Sequence, residues 1–312
     1  MKTAFLYAGQ GSQHKGMGAD LYNDFKEFKE VYDNASLDFD LKEMCFEDPE
    51  EKLNLTKYTQ PCMVAFACGV TNILKNNGFK PDMVAGLSLG EYSALEAAGV
   101  WDASEAIKMV AFRGEAMTKA AEGVEAAMTA IIGMSKEDLA VCVEKAADAG
   151  VVSICNDNCP GQIVIGGEKP AVDAAAALAK EAGAKRCMPL NVSGPFHTAF
   201  MKAAGDDLAK YFETVEFNQP QIPVVYNVVG REKTADETIQ KLLEMQVQNG
   251  VQMTDSINYM LDAGVRNFVE IGPGKALTGF VKRCAKAKDI ADINCTVLET
   301  SEDIKAFIES DK

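Results

Sequence analysis

Met83-Val84-Ala85-Gly86-Leu87-Ser88-Leu89-Gly90-Glu91-Tyr92-Ser93-Ala94-Leu95 is the stretch on which the reading of this chain turns. Met83 to Gly86 reads as a short apolar strand and Leu89 to Ala98 as a helix, with Gly-x-Ser-x-Gly between them. A strand that passes straight into a helix leaves Ser88 in a tight turn, and glycine on both sides removes side chains that would clash there. The hydroxyl then projects at the carboxyl end of a sheet, and the amide of Leu89, at the helix N-terminus, points at a developing oxyanion. The same string also suits a glycine-rich turn with an incidental serine, so a nucleophile here requires a base from elsewhere in the chain.

Outward from this turn the pattern is α/β. Thr3 to Ala8 reads as a strand and Cys62 to Lys75 as a buried apolar helix. From Ala127 a different unit follows: strand (Met128 to Gly133), helix opened by Ser135-Lys-Glu-Asp138, strand (Val151 to Asn156), strand (Gln162 to Gly166), helix (Pro170 to Ala182) and strand (Lys185 to Val192). That βαββαβ order is ferredoxin-like. Small and acidic residues from Ala121 to Ala127, and the breaker Ser193-Gly194-Pro195, read as hinges on either side. Strands near Ile222 to Val229, Arg266 to Ile271 and Asn294 to Leu298 then resume the first rhythm. The expected fold is α/β, with a large mostly parallel sheet domain resembling the α/β-hydrolase type (1–126 and 194–312) and an inserted ferredoxin-like small domain (127–193).

The 312 residues carry 31 Lys and Arg against 46 Asp and Glu, a net charge of −15. That balance argues against nucleic acid or anionic membrane as a partner. Nine cysteines in irregular spacing suit reduced thiols and a cytoplasmic location, and two histidines are too few for a zinc site, so no metal is expected. No apolar run reaches the roughly 18 residues of a membrane span.

Of the two histidines, His14 lies in a polar glycine-rich loop beside Lys15 and reads as solvent-facing. His197 lies in Ser193-Gly194-Pro195-Phe196-His197, a loop before a helix beginning near Thr198. With a serine turn present it is the candidate general base; without one it would read as a surface or capping residue. A third signal comes from the helix Ala103 to Ala121, opened by the capping arrangement Asp102 and Glu105. At 100° per residue Lys108, Glu115 and Lys119 share one side with Glu105, whereas Arg113 falls among Ala106, Met109, Val110, Ala116 and Met117. A guanidinium there needs an anion, either a neighbouring Asp or Glu or a substrate carboxylate gripped in a fork. Met117, one turn on, would line the same pocket. The loops Gly9 to Gln13, Asn156 to Gln162 and Gly272-Pro273-Gly274 read as turns, the first also as a source of oxyanion donors.

Taken together, AGQGSQ, GLSLGEYSAL, FRGEAM, NDNCPGQIVIGG, SGPFH and EIGPGKALTGFVKR resemble, in this order and over almost the whole chain, the malonyl-CoA:acyl carrier protein transacylases of fatty acid synthesis. The resemblance implies that Ser88 is acylated, that His197 is its base and that the amides of Gln10 and Leu89 hold the oxyanion. It further implies that Arg113 binds the malonyl carboxylate and that a main-chain carbonyl at Gln246 orients the histidine. Phe196 resembles malonyl-selective members, its bulk crowding an α-methyl group. No cofactor is implied: malonyl-CoA is a substrate, and phosphopantetheine arrives on an acyl carrier protein, for which Lys275, Lys282 and Arg283 are a candidate docking patch. Three positions depart from the family pattern: Ala8 in place of proline, Asn249-Gly250-Val251-Gln252-Met253 in place of Asn-Pro-Val-x-Trp, and Cys159 where serine is common. A serine thioesterase or hydrolase with the same turn is the alternative; it would show a triad Asp or Glu between Ser88 and His197.

Overall fold

The computed structural model describes residues 1–192 and 194–310. Strands β1 (Lys2–Tyr7), β2 (Met83–Gly86), β7 (Val224–Val225), β9 (Val265–Ile271) and β10 (Asn294–Leu298) form one sheet in the order β10-β9-β1-β2-β7, parallel throughout. Parallel strands buried on both faces read as continuous apolar runs, and β1 and β2 do so. The chain moves from β1 through β2 to β7 on one side and returns to β9 and β10 on the other. The loops after β1 and β2 therefore open at the carboxyl edge of the sheet, beside the point where the order reverses, which is where open α/β sheets place their sites.

The helix Thr56–Asn76 is buried along almost its whole length. It packs against the helix Ala103–Ala120, whose first turn is capped by the Asp102 side chain accepting from the Glu105 amide at 2.8 Å, as its sequence requires.

The second sheet holds β3 (Ala126–Ile132), β4 (Val152–Cys159), β5 (Gln162–Glu168), β6 (Arg186–Pro189) and β8 (Val251–Gln252), in the order β6-β3-β5-β4-β8. The first four are antiparallel and their order is the ferredoxin-like one. β8 comes from a distant part of the chain and pairs parallel with β4, Asn156 opposite Val251 and Asp157 opposite Gln252. Alternation divides the sheet's faces. Ile131, Ile163 and Ile165 pack with Leu139 and Val172 of the two local helices, whereas Met128, Ala130 and Val164 join the core of the large sheet.

Four expectations change. The strand expected over Ile222 to Val229 is only Val224–Val225. The expected turn Asn156 to Gln162 contracts to Pro160-Gly161, because β4 continues through Asn156, Asp157, Asn158 and Cys159 with two register irregularities. A two-residue hairpin with Gly161 at φ 75° suffices to reverse the chain. The strand expected over Lys185 to Val192 is Arg186–Pro189, and the helix expected near Thr198 is a 3₁₀ turn, Ala199–Met201, running into Lys202–Phe212. Ser193, part of one expected hinge, lies outside the described residues.

Candidate active site

The turn after β2 admits only glycine at its flanks. A Cβ on Gly86 would stand 1.9 Å from the backbone of Gly90, and one on Gly90 would stand 2.1 Å from the carbonyl oxygen of Tyr7. With both positions bare, the strand enters the helix Gly90–Ala97 directly and Ser88 takes the left-handed conformation, φ 52°. A non-glycine residue there is strained by roughly 1–3 kcal/mol and needs its surroundings to hold it. Two buried side-chain amides do so. The Ser88 N–H donates to Asn227 Oδ1 at 2.6 Å, and the Ser88 carbonyl accepts from Gln246 Nε2 at 2.8 Å.

The Ser88 hydroxyl lies 2.7 Å from His197 Nε2, and His197 Nδ1 lies 2.8 Å from the carbonyl oxygen of Gln246. A carbonyl only accepts, so Nδ1 carries the proton and Nε2 offers its lone pair to the serine. His197 is also left-handed, φ 61°, with its own N–H donating to the Val247 carbonyl at 3.1 Å. Burial, and then the Arg113 guanidinium, push the imidazole down to about 4, so it is unprotonated at neutral pH.

Arg113 projects from the helix Ala103–Ala120 into the same cluster and is 1 % exposed. Its Nη2 donates to Ser88 Oγ at 3.2 Å and to Gln246 Oε1 at 3.0 Å, and its carbon Cζ sits 5.3 Å from the centre of the Tyr92 ring. Among the described residues it makes no ion pair, and its Nε has no partner. Of the two anions that could have satisfied it, a close Asp or Glu is therefore not supplied by the described chain. Glu91, the nearby buried acid, spends one oxygen on the Asn227 amide at 2.6 Å, and burial pushes its carboxyl up to about 8.

These groups border a cavity of about 180 Å³. Gly9, Gln10, Met117 and Phe196 line it, as do Asn156 and Asn158 of β4 and Leu190 and Val192 from beyond β6. Leu89 is turned into the core, and its backbone N–H, like that of Gln10, meets no protein acceptor among the described residues. Ser88, His197, Arg113 and Gln246 are thus in direct contact, with Gln10, Met117 and Phe196 around them. The Lys275, Lys282 and Arg283 segment lies apart from the cavity, on or next to the helix Ala276–Ala287. Arg283 there braces the second sheet, donating to Gln162 Oε1 at 2.7 Å. His14 is half exposed and pairs with Glu299 at 2.9 Å.

Sequence reasoning missed Asn227, Glu91, Asn156 and Asn158. Asn227 interrupts the apolar run Val224-Val225-Tyr226, and a lone amide in such a run was the available signal. No cluster of three or more His, Cys, Asp or Glu able to hold a metal occurs among the described residues, and none of their helices is long and apolar enough to cross a membrane.

A hydroxyl bonded to an unprotonated imidazole, with a buried guanidinium lacking a counter-ion on the same cavity, is an arrangement suited to forming an ester with an acidic acyl group. The chain belongs to the acyl transferase domain family, which matches residues 4–308. Within that family it is similar to the malonyl CoA-acyl carrier protein transacylase of Staphylococcus aureus (strain MRSA252), at 38% identity over 99% of both chains. The crystal structure of MCAT from Streptococcus pneumoniae shares 43% identity and a TM-score of 0.92, covering 99% of this chain and 100% of that one. A malonyl-transacylase in complex with its type II PKS acyl-carrier protein shares 39% identity and a TM-score of 0.94, over 99% and 100%.

Proposed function

We propose that this enzyme transfers the malonyl group of malonyl-CoA to the phosphopantetheine thiol of an acyl carrier protein, through a malonyl ester of Ser88, in fatty acid synthesis. The observation that carries the reading is the contact of Ser88 Oγ with both His197 Nε2, at 2.7 Å, and the Arg113 guanidinium, at 3.2 Å, the latter without a counter-ion among the described residues. His197 takes the serine proton as Oγ attacks the thioester carbonyl. The tetrahedral oxyanion is held by the amides of Gln10 and Leu89, and the protonated imidazole returns its proton to the departing coenzyme A thiol. The carrier thiol then loses its proton to His197, attacks the ester carbonyl and releases Ser88. Arg113 pairs with the malonyl carboxylate throughout, and a substrate without one leaves that buried charge bare.

His197 meets a carbonyl where a hydrolase triad would place a carboxylate, which favours the transacylase over the thioesterase reading. Residues 1–126 with 194–312 form the catalytic part and 127–193 the inserted part, the latter supplying Asn156, Asn158 and Val164 to the cavity. The reaction uses no cofactor beyond the carrier's own phosphopantetheine. Nine free cysteines, seven of them buried, suit the reducing cytoplasm. Intact-mass spectrometry after mixing with malonyl-CoA tests the reading. A malonyl adduct that is stable in buffer, maps to Ser88 and leaves when carrier protein is added is the expected result, and adduct decay at the same rate without any thiol acceptor identifies a hydrolase instead.

A further inference from the structure

The mechanism above leaves unused a buried group that touches the nucleophile itself. Asn227 is fully buried, and its side-chain oxygen and nitrogen and its backbone N–H and carbonyl are all hydrogen-bonded. Its Oδ1 accepts from the Ser88 N–H at 2.6 Å, and its Nδ2 donates to the Gly86 carbonyl at 2.6 Å, so one side chain spans the serine turn from the end of β2 to the nucleophile. Its backbone N–H donates to Glu91 Oε2 at 2.6 Å. Its carbonyl accepts from the Gln252 N–H at 2.8 Å, within β8, and β8 pairs with the stretch of β4 that carries Asn156 to the cavity.

Because the Ser88 N–H is consumed, it is not free to donate to an oxyanion; on this turn the next amide, that of Leu89, is the one left without an acceptor among the described residues. The carbonyl of Ser88 is held from the other side by Gln246 Nε2. A left-handed serine with both backbone polar groups tied to buried amides has its Cβ direction set by those amides, and the position of Oγ against His197 Nε2 follows from it.

We propose that Asn227, backed by Glu91, is a positioning residue for the nucleophile: it locks the turn so that the Ser88 hydroxyl faces the imidazole and the Leu89 amide, not the Ser88 amide, faces the reacting carbonyl. The proposal deepens the acyl-transfer reading and rests on Ser88 being the acylated residue. Asn227 touches neither substrate nor the reacting oxygen, so its removal slows acylation and leaves substrate affinity alone. Glu91 stands protonated at neutral pH, and a glutamine at 91 keeps an oxygen for the Asn227 N–H, whereas an alanine does not.

The full-length protein is mixed rapidly with malonyl-CoA, and the rate of Ser88 malonylation is followed by intact mass. Asn227→Ala is expected to lower that rate about 100-fold, the lower end of the effect of removing one oxyanion donor. Malonyl-CoA affinity, measured in a Ser88→Ala background with and without Asn227→Ala, stays within about twofold, and the acid limb of the pH–rate profile keeps its place. Glu91→Ala falls in the same direction, and Glu91→Gln recovers at least about tenfold over it. A purely structural role predicts a different pattern, in which the rates of Glu91→Gln and Glu91→Ala simply follow their changes in thermal stability, whichever the sign. A second probe, a sulfonyl fluoride that labels activated serines, is run in parallel. Absence of a malonyl adduct on the wild type defeats the acyl-transfer reading, and the labelling rates still decide the role of Asn227. Malonylation or labelling of Asn227→Ala within threefold of wild type overturns the proposal, as does a loss that appears wholly in malonyl-CoA affinity.

Discussion

Replacing Arg113 with alanine separates recognition of the carboxylate from acyl transfer itself. The guanidinium is 1 % exposed, lies 3.2 Å from Ser88 Oγ and has no ion-pair partner among the described residues, so a malonyl carboxylate would be its counter-ion in a site with little water. Removing one member of a buried pair costs about 3–5 kcal/mol, because the other charge is left uncompensated. At 1.36 kcal/mol per decade, that lowers kcat/KM for malonyl-CoA by roughly 2.2 to 3.7 orders of magnitude. Acetyl-CoA brings no carboxylate, so its kcat/KM is expected to hold or rise, and the malonyl-to-acetyl ratio falls at least about 100-fold. A second consequence is independent of substrate charge. Burial and the Arg113 guanidinium together hold His197 down to about 4, and only burial remains in the variant. The acid limb of kcat/KM for acetyl-CoA, which reports the free enzyme, therefore moves upward in pH. The assay follows coenzyme A release with each substrate and a thiol acceptor from pH 4 to 8, with Arg113→Met as a control that refills the volume. Equal losses on both substrates, or an acid limb that stays in place in both variants, would refute the reasoning.

Three further outcomes follow from the same geometry. Phe196 is buried and lines the cavity, as does its neighbour His197. Phe196→Ala should raise the rate with a methyl-branched malonyl thioester relative to malonyl-CoA by about 10- to 200-fold, measured by competition for the Ser88 adduct, and an unchanged ratio would remove Phe196 from selectivity. Lys275→Glu with Lys282→Glu should raise KM for carrier protein several-fold at low salt while transfer to free pantetheine is unaffected; no change in KM would exclude docking there. Glu91 is raised to about 8, above its unfolded value, so its stabilising contribution is complete below about pH 4.5 and is lost as pH rises toward 8. Glu91→Gln should gain stability relative to wild type by about 1 kcal/mol per pH unit across that interval, read from urea midpoints, and a pH-independent difference would contradict a buried neutral carboxyl.

Local rules made much of this molecule legible. The paired glycines around Ser88 announce a strand-to-helix turn because the constraint spans five residues. Arg113 stood out because a helix of period 3.6 left a cation among methionines and alanines, and His197 because the chain has so few imidazoles. Non-local features escaped. Asn227 meets the serine turn across 139 positions of sequence, and the side-chain bond of Gln246 to Ser88 spans 158; no periodicity encodes such a meeting, and Gln246 was named only through the family resemblance. The run Asn156-Asp157-Asn158-Cys159 has turn composition, yet pairing with β5 on one side and β8 on the other holds it extended, with Asn156 and Asn158 among the cavity walls. Glu91 carries no signal of its own in the sequence, and the structure buries it fully, with Oε2 accepting from the Asn227 N–H.

The fifth strand of the second sheet bears on how this protein can be recombined with its relatives. Val251 and Gln252 lie along β4, and Lys136, paired with Asp157 of β4 at 3.0 Å, also reaches Gln252 Oε1 of β8 at 2.8 Å. A chimaera that exchanges only residues 127–193 would set a foreign β4 against a resident edge it did not evolve with, directly behind the asparagines that line the cavity. Functional exchange requires a third crossover that carries residues 249–253 along with the insert.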